Sequence, residues 1–365
     1  MKEPVKRVLH VFGRLDSGGA ESRTMDIYRS IDRSKIQFDF AIHTKDECFF
    51  SDEVRSLGGK IFNFPRFTGK NYFKYKKAWR SFFKKHPEYD IIHGHQTSTG
   101  FIYLNEALKN DVKVRIAHAR NSNKDSRIKR FTTKLARYYA SDLFAVSRLA
   151  GISEFGKKLV ADGTVKVIPN AIDVEKYKFD EGVRNRVRKD LLLEDELAVI
   201  HIGRFHPQKN HNFLIDVFNV LLEKDKNAKL FLVGDGGLRN NIEEKIKELK
   251  LENKVEILGI RSDVPELLQG MDLLLFPSFF EGLPGVVLEA QAAGLPCIIS
   301  NSITNEVLVT NRVYKLDLGW GAHTWAEKVT DMDFFHDKRI QNRLVNKKFG
   351  IHNIKNFYET FYTKV

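Results

Sequence analysis

Two glutamates stand seven residues apart in the run Phe276-Pro277-Ser278-Phe279-Phe280-Glu281-Gly282-Leu283-Pro284-Gly285-Val286-Val287-Leu288-Glu289-Ala290. Carboxylates accept hydrogen bonds from paired hydroxyls, such as those of a ribose or a hexose. Glu289 falls in an otherwise apolar helical stretch, where a charge is costly unless it is satisfied. A ligand or a structural ion pair would satisfy it equally. Pro284 suits a first helical turn, and exposed amides at 282–286 would face an anion or sugar hydroxyls. A second constellation is Gly203-Arg204-Phe205-His206-Pro207-Gln208-Lys209-Asn210. Gly203 lets the chain turn, and Arg204 and Lys209 offer a planar fork and a compact charge that together suit a diphosphate. Read blandly, they are two solvated loop cations. Gly234-Asp235-Gly236-Gly237 and Gly18-Gly19-Ala20-Glu21 add glycine-rich turns that permit close backbone approach to a ligand or simply start a helix.

These groups need elements to hold them. Short, β-branched, nearly all-apolar runs are expected as strands at 5–12, 37–43, 60–64, 90–93, 113–117, 142–147 and 165–168. A second series covers 197–202, 228–233, 255–258, 272–276, 296–299 and 313–316. Amphipathic stretches such as 20–31, 72–86, 127–140, 210–224, 238–250 and 285–294 lie between them. Apolar strands buried on both faces and alternating with helices predict parallel sheets, and two such series predict two doubly wound α/β domains. The break is expected at 169–196, after Pro169-Asn170-Ala171-Ile172-Asp173, in a charged and poorly periodic stretch. In such folds ligands bind at the carboxyl ends of strands, which is where every loop named above falls.

The 365 residues suit two domains at roughly 100–200 residues each. A hydrophobic fraction of 42% excludes wholesale disorder. Two cysteines, Cys48 and Cys297, cannot build a disulfide framework or a four-cysteine zinc site, and they fit a reducing compartment. No apolar run is long enough to span a membrane, and the first strand is too short for a signal peptide. The expectation is a cytoplasmic protein. The net charge of +13 resides wholly on residues 1–175, leaving 176–365 neutral. One half is therefore expected to face an anionic partner: nucleic acid, a membrane surface or a phosphorylated substrate.

Together the motifs resemble the retaining glycosyltransferases of the GT-B fold, specifically family 4. The likeness is carried by Glu281-Gly282-Leu283-Pro284 with Glu289, by Gly18-Gly19-Ala20-Glu21 and Pro169-Asn170-Ala171-Ile172-Asp173, and by the loops at Gly203 and Gly234. Its nearest subgroup is the bacterial exopolysaccharide and capsule enzymes. Ala171 stands where glycine is commoner, a mild departure.

The resemblance implies two Rossmann-like domains facing across a cleft that holds the active site. Residues 1–175 would be the acceptor side, 176–350 the nucleotide-sugar domain, and 351–365 a helix returning to the first domain. Gly203, Arg204, Lys209 and Gly234 would hold the diphosphate and Glu289 the ribose. Glu281, with Gly282, Leu283, Pro284 and Val287, would hold the sugar, and Arg261 would line the base. Gly18, Gly19 and His118 would lie toward acceptor and sugar. His118, Arg204, Lys209 and Glu281 are thus the expected catalytic set. The donor is expected to be a UDP-sugar and the acceptor a glycan on a polyprenyl diphosphate, with no metal or other cofactor.

Several features stand outside this reading. His93 and His95 share a strand face and could bind a metal, but the sequence shows no third ligand nearby, so a structural or cleft-lining role is expected. Gly151–Lys158 nearly spells a phosphate-binding loop but ends in Lys158, where magnesium needs a hydroxyl. Asp331-Met332-Asp333 has metal-site spacing far from any nucleotide loop. Residues 67–86 carry six lysines, one arginine and no acid, with Tyr72, Tyr75, Trp79, Phe82 and Phe83 on one helical face. That pattern suits either an anionic membrane or aromatics packed on the sheet. Lys124–Arg137 adds cations. A GT-B epimerase or hydrolase is the enzymatic rival, and a basic nucleic-acid-binding protein the non-enzymatic one. The second lacks any recognition motif.

Overall fold

The computed structural model describes residues 5–16, 18–120, 127–332 and 339–364. Lys124 and Asp333 fall outside them. The chain divides into two compact units, Met1–Ala171 with Ile351–Val365, and Ile172–Gly350.

In the first unit seven strands form a parallel sheet: β1 (Lys6–Phe12), β2 (Ile36–Ile42), β3 (Ile61–Asn63), β4 (Ile91–Gly94), β5 (Val114–Ala119), β6 (Asp142–Ala145) and β7 (Val165–Val167). Their order is β3-β2-β1-β4-β5-β6-β7, so the winding reverses between β1 and β4. The second unit has six: β8 (Leu197–Ile202), β9 (Ala228–Val233), β10 (Val255–Gly259), β11 (Leu273–Phe276), β12 (Cys297–Ser300) and β13 (Val313–Leu316). Their order β10-β9-β8-β11-β12-β13 reverses between β8 and β11. Every expected strand is present, because strands covered on both faces must be written in apolar residues. The reversal points are where a doubly wound sheet opens a crevice for ligands.

The unit boundary falls four residues before the expected 175, because Ile172 already belongs to the second unit: its N–H donates to Phe349 O at 2.9 Å. The stretch after it is not a bare linker. It contains the helix Glu181–Asp190, which buries only Val187 and is tied down by charge. Arg184 and Arg188 both pair with Asp272 at 2.6 and 3.1 Å. A helix held by arginines shows little apolar periodicity, so the sequence hides it. The last helix, Ile351–Thr363, packs on the first unit through Ile354, Tyr358 and Tyr362.

In the basic helix Tyr72–Lys85 the aromatics follow the second of the two readings and pack inward. Tyr75, Trp79, Phe82 and Phe83 are buried, with Trp79 stacked on Phe64 at 3.9 Å. The core takes these rings, since large aromatics gain most from leaving water. Arg80 and Lys76 turn to the buried Glu106, at 2.9 and 3.8 Å. Lys74, Lys77, Lys84, Lys85 and Phe73 stay exposed.

Candidate functional site

In the second unit the loops after β8, β9 and β11 meet at the reversal point. Gly203 N donates to Val233 O at 2.9 Å, and Phe205 N to Asp235 O at 2.9 Å, so the first two loops are laced together. Gly234, at φ +136°, lies so near Gly203 that a Cβ would collide with its carbonyl. A Cβ on Gly203 would lie 3.0 Å from Lys209 Cε, so its absence gives the lysine stem its path. The loop then joins the third segment. Gln208 Nε2 donates to Phe280 O at 2.8 Å, Phe279 N to Gln208 O at 2.9 Å, and Asn210 Nδ2 to Pro277 O at 3.3 Å.

This lacing sets the charges. Lys209 Nζ contacts Glu281 Oε1 at 2.7 Å and lies 4.6 Å from the centre of the Phe276 ring. The two residues expected to serve diphosphate and sugar separately are therefore one ion pair. Arg204 differs: it is exposed and makes no ion pair with the described residues. Glu289 is buried in the helix Gly285–Ala292. Two expectations change. Pro284 is the residue before that helix rather than its first turn, and Glu281–Pro284 are buried, so exposure begins only at Gly285 and Val286. The segment carries the chain inward under its neighbours, which a Gly-Leu-Pro sequence does not reveal. Val287 is also buried. Arg261, just past β10, is exposed and forked onto Asp263 at 2.6 and 2.8 Å.

In the first unit Gly18 precedes the helix Gly19–Ser30, and a Cβ on Gly19 would meet nothing within 4 Å. Space at the helix start is thus open, beside backbone donors that favour negative charge. His118 has a different setting from the one implied: it is fully buried, its Nδ1 2.8 Å from His93 Nε2. The third histidine that the sequence did not reveal is His10 on β1, whose Nδ1 lies 3.0 Å from His95 Nε2. His10, His93 and His95 offer ring nitrogens all within 4.8 Å of one another, a spacing that could hold a metal. Burial pushes all four histidines well below the ordinary imidazole range, with the positive charge of Arg120 adding to the effect.

Arg120 decides the tautomers. Its Nε lies 3.0 Å from His95 Nδ1, and an arginine can only donate. His95 therefore accepts at Nδ1 and donates from Nε2 to His10 Nδ1, which leaves His10 carrying its proton on Nε2. Tyr362 Oη, 2.6 Å from His93 Nδ1, best donates there, so that His93 passes its Nε2 proton to His118 Nδ1. Both chains then end in buried N–H groups, His10 Nε2 and His118 Nε2, with no hydrogen-bond partner among the described residues. In this arrangement the single free lone pair of each of His10, His93 and His95 is already accepting, so a metal would have to break the chain. A histidine inside an apolar strand, as in Val8-Leu9-His10-Val11, and a cation at a strand end, as in Arg120, were the available signals.

Residues 17–176 match Glycosyltransferase Family 4, and residues 183–346 match Glycosyl transferases group 1. The glycosyltransferase EpsF of Bacillus subtilis is 35% identical over 90% of this chain and 88% of its own. The chain belongs to glycosyltransferase family 4. This transferase is also similar to the UDP-Gal:alpha-D-GlcNAc-diphosphoundecaprenol alpha-1,3-galactosyltransferase of Escherichia coli, 30% identical over 62% of each chain. Its fold matches the crystal structure of Anabaena Alr3699/HepE in complex with UDP and glucose, with a TM-score of 0.82 and 20% identity over 98% of this chain and 99% of that one. The transferase thus has the GT-B fold and is a retaining enzyme of its class. No helix among the described residues is long and apolar enough to cross a membrane.

Proposed function

We propose that the transferase moves a sugar from a UDP-sugar to a saccharide carried on a polyprenyl diphosphate, in exopolysaccharide or capsule assembly at the cytoplasmic face of the membrane. The observation that carries this reading is the charge arrangement at the β8–β11 reversal. Arg204 keeps an unspent cation at the mouth of laced, glycine-walled loops, while Lys209 is held beside it by Glu281. A diphosphate brings the negative charge that such a place lacks. The Escherichia coli relative's diphosphoundecaprenol acceptor supports the lipid-linked acceptor.

In the reaction the bond from the anomeric carbon to the UDP oxygen breaks, and the acceptor oxygen bonds to that carbon on the same face. The acceptor proton passes to an oxygen of the departing phosphate. Arg204, with Lys209 drawn partly from Glu281, stabilises the charge growing on UDP, an electrostatic effect of several kcal/mol. Glu289 holds the ribose hydroxyls, and Glu281 exchanges its lysine for sugar hydroxyls. On this reading no divalent metal takes part: turnover persists in excess EDTA with metal-free reagents, and a loss restored by Mn²⁺ or Mg²⁺ would refute that. The exposed Lys74, Lys77, Lys84 and Lys85 rest on anionic lipid. The test of the whole reading is a thermal-shift screen of nucleotide-sugars, followed by transfer to a short-chain prenyl diphosphate saccharide. UDP-sugars should raise the melting temperature. Stabilisation by no nucleotide, or only by purine nucleotides, would overturn the donor, and transfer to water alone would favour a hydrolase.

A further inference from the structure

Three helices of the first unit pack in a row: Tyr72–Lys85, Thr97–Leu108 and Arg127–Tyr139. Trp79 of the first lies 5.3 Å from Tyr103 of the second. Gly100 of the second sits so close to the third that an added Cβ would lie 3.0 Å from the Cβ of Ala136. The row contains one acid, Glu106, which is fully buried and paired with Arg80 at 2.9 Å. The two outer helices carry six and five lysines or arginines. The third helix is turned inside out. Its inward face is small: Thr133 and Ala136 are buried, and the Thr133 hydroxyl donates to Glu154 Oε1 at 3.2 Å. Its rings point the other way. Phe131 is 63% and Tyr138 80% exposed, with the exposed Lys134 between them on one line of the helix. Packing within the unit would have placed such rings on the buried face. With Phe73 at 83%, they are the three most exposed aromatic side chains among the described residues, and all three belong to this row.

We propose that Arg127–Tyr139 is a membrane-seating helix, whose Phe131 and Tyr138 enter the headgroup layer of an anionic bilayer while Tyr72–Lys85 supplies the longer-range attraction. The inference rests on the reading that the acceptor is carried on a lipid, and it names the element that holds the enzyme to that lipid's membrane. A helix lying in the interface combines these parts, with rings on one line and cations beside them. Tyrosine, apolar in its ring and polar at its tip, suits that depth. The near absence of acid across the row matches an anionic surface. One signal alone gives marginal binding, so charge and rings act together. A second copy of the chain would set like charges against each other, which is unfavourable. Nucleic acid shares the charge of the lipid surface but has no part in sugar transfer to a lipid.

The test uses the full chain with an environment-sensitive fluorophore on a cysteine introduced by Phe131→Cys or Tyr138→Cys. Cys48 and Cys297 are buried, so the label goes to the new position. With phosphatidylglycerol vesicles at low salt, emission from either position should shift to the blue and be quenched by lipids carrying a nitroxide. A label at Glu223→Cys, exposed on the second unit's helix His211–Lys224, should not respond. Phe131→Ser combined with Tyr138→Ser should weaken vesicle binding at least about tenfold, from the loss of two apolar rings. Phe131→Trp should bind like the wild type. Both positions are exposed, so all these variants should melt with the wild-type protein. Flotation with silent labels at 131 and 138 would overturn the inference and leave docking to Tyr72–Lys85. No flotation, with transfer to a short-chain prenyl diphosphate saccharide intact, would overturn it and leave donor and acceptor as read. Labels that respond to vesicles, in a protein that transfers to no such saccharide, would support this surface and overturn the acceptor instead. A response to RNA and not to vesicles would replace the lipid with nucleic acid. A response that grows with protein concentration alone would replace it with a second copy of the chain.

Discussion

The two units solve the problem of holding charge at a sheet reversal in opposite ways. In the second, backbone does the work: Gly203 and Gly234 let loops from β8 and β9 touch, and the charge of Lys209 is balanced by Glu281 a short distance away. In the first, side chains do it: His10, His93, His95 and His118 reach from three strands into one buried cluster beside Arg120, which hydrogen-bonds to the neutral His95, Asn170 and Thr24. A backbone-built site leans less on titrating side chains, with His201 and His211 the buried histidines of its unit. A cluster of neutral imidazoles depends on staying unprotonated, and so ties the stability of its unit to pH.

That contrast predicts the largest effect, a selective loss of the first unit in acid. Burial lowers the pKa of His10, His43, His93, His95 and His118 there, and of His201 and His211 in the second unit. His43 and His211 are lowered to about 4. Below about pH 6.5 the unfolded chain binds protons that these rings refuse, so stability falls as pH falls, until the folded pKa is reached. Each ring costs up to about 1.4 kcal/mol per pH unit in that window. With five such rings against two, amides of β1, β4 and β5 should lose hydrogen-exchange protection between about pH 7 and about pH 5 before those of β8, β9 and β11. Equal loss in both sheets would remove the contrast.

Arg204→Ala comes next. Loss of the unpaired cation should lower turnover by about two orders of magnitude or more. The fold should survive, because the side chain is exposed. Lys209→Ala should cost comparably while leaving Glu281 a buried carboxylate without its lysine, so this variant should also melt earlier. A normal melting temperature for Lys209→Ala would show that the pair is not the fixed unit described above.

How much of this could be read in the chain follows from the same contrast. The loops of the second unit were legible because glycine, arginine and lysine at fixed local spacings carry their purpose in sequence. What stayed hidden was their mutual engagement, such as Lys209 with Glu281, which joins positions 72 residues apart. The histidine cluster was largely illegible for that reason. His93 and His95 advertise a shared face, but His10 lies 85 residues from His95 and is brought beside it only because β1 neighbours β4. The strands themselves were easy, being apolar throughout, whereas Glu181–Asp190 was missed because arginines rather than an apolar face hold it in place.

A smaller effect should follow Glu289→Gln. If the carboxylate holds ribose, UDP affinity by calorimetry should weaken by roughly 1.5–3 kcal/mol, the worth of a charged hydrogen bond. Unchanged affinity with a sharply lower melting temperature would make Glu289 a structural residue of its buried helix.

The smallest effect concerns the first unit's outer surface. On the helix Tyr72–Lys85 the rings that suggested insertion are spent on the core, and Trp79 is fully buried. What faces solvent is Phe73, 83% exposed, with Lys77 and Lys84 four and eleven positions on and so near one line of the helix. Lys74 and Lys85 flank that line. Each lysine near anionic lipid contributes about 1 kcal/mol, and the attraction fades over a Debye length. Binding should therefore be weak, reversible and abolished by salt. In co-flotation with phosphatidylglycerol vesicles, the wild-type protein should float at low salt and not at high salt. Changing Lys74, Lys77, Lys84 and Lys85 together to Gln should abolish flotation, and Phe73→Ser should reduce it. Trp79→Phe, if it folds, should float like wild type, because that ring never leaves the core. Flotation that survives the lysine changes would move the basic excess of residues 1–175 to another task. Arg120, which hydrogen-bonds to His95 and Asn170, shows that at least part of that excess is already turned inward.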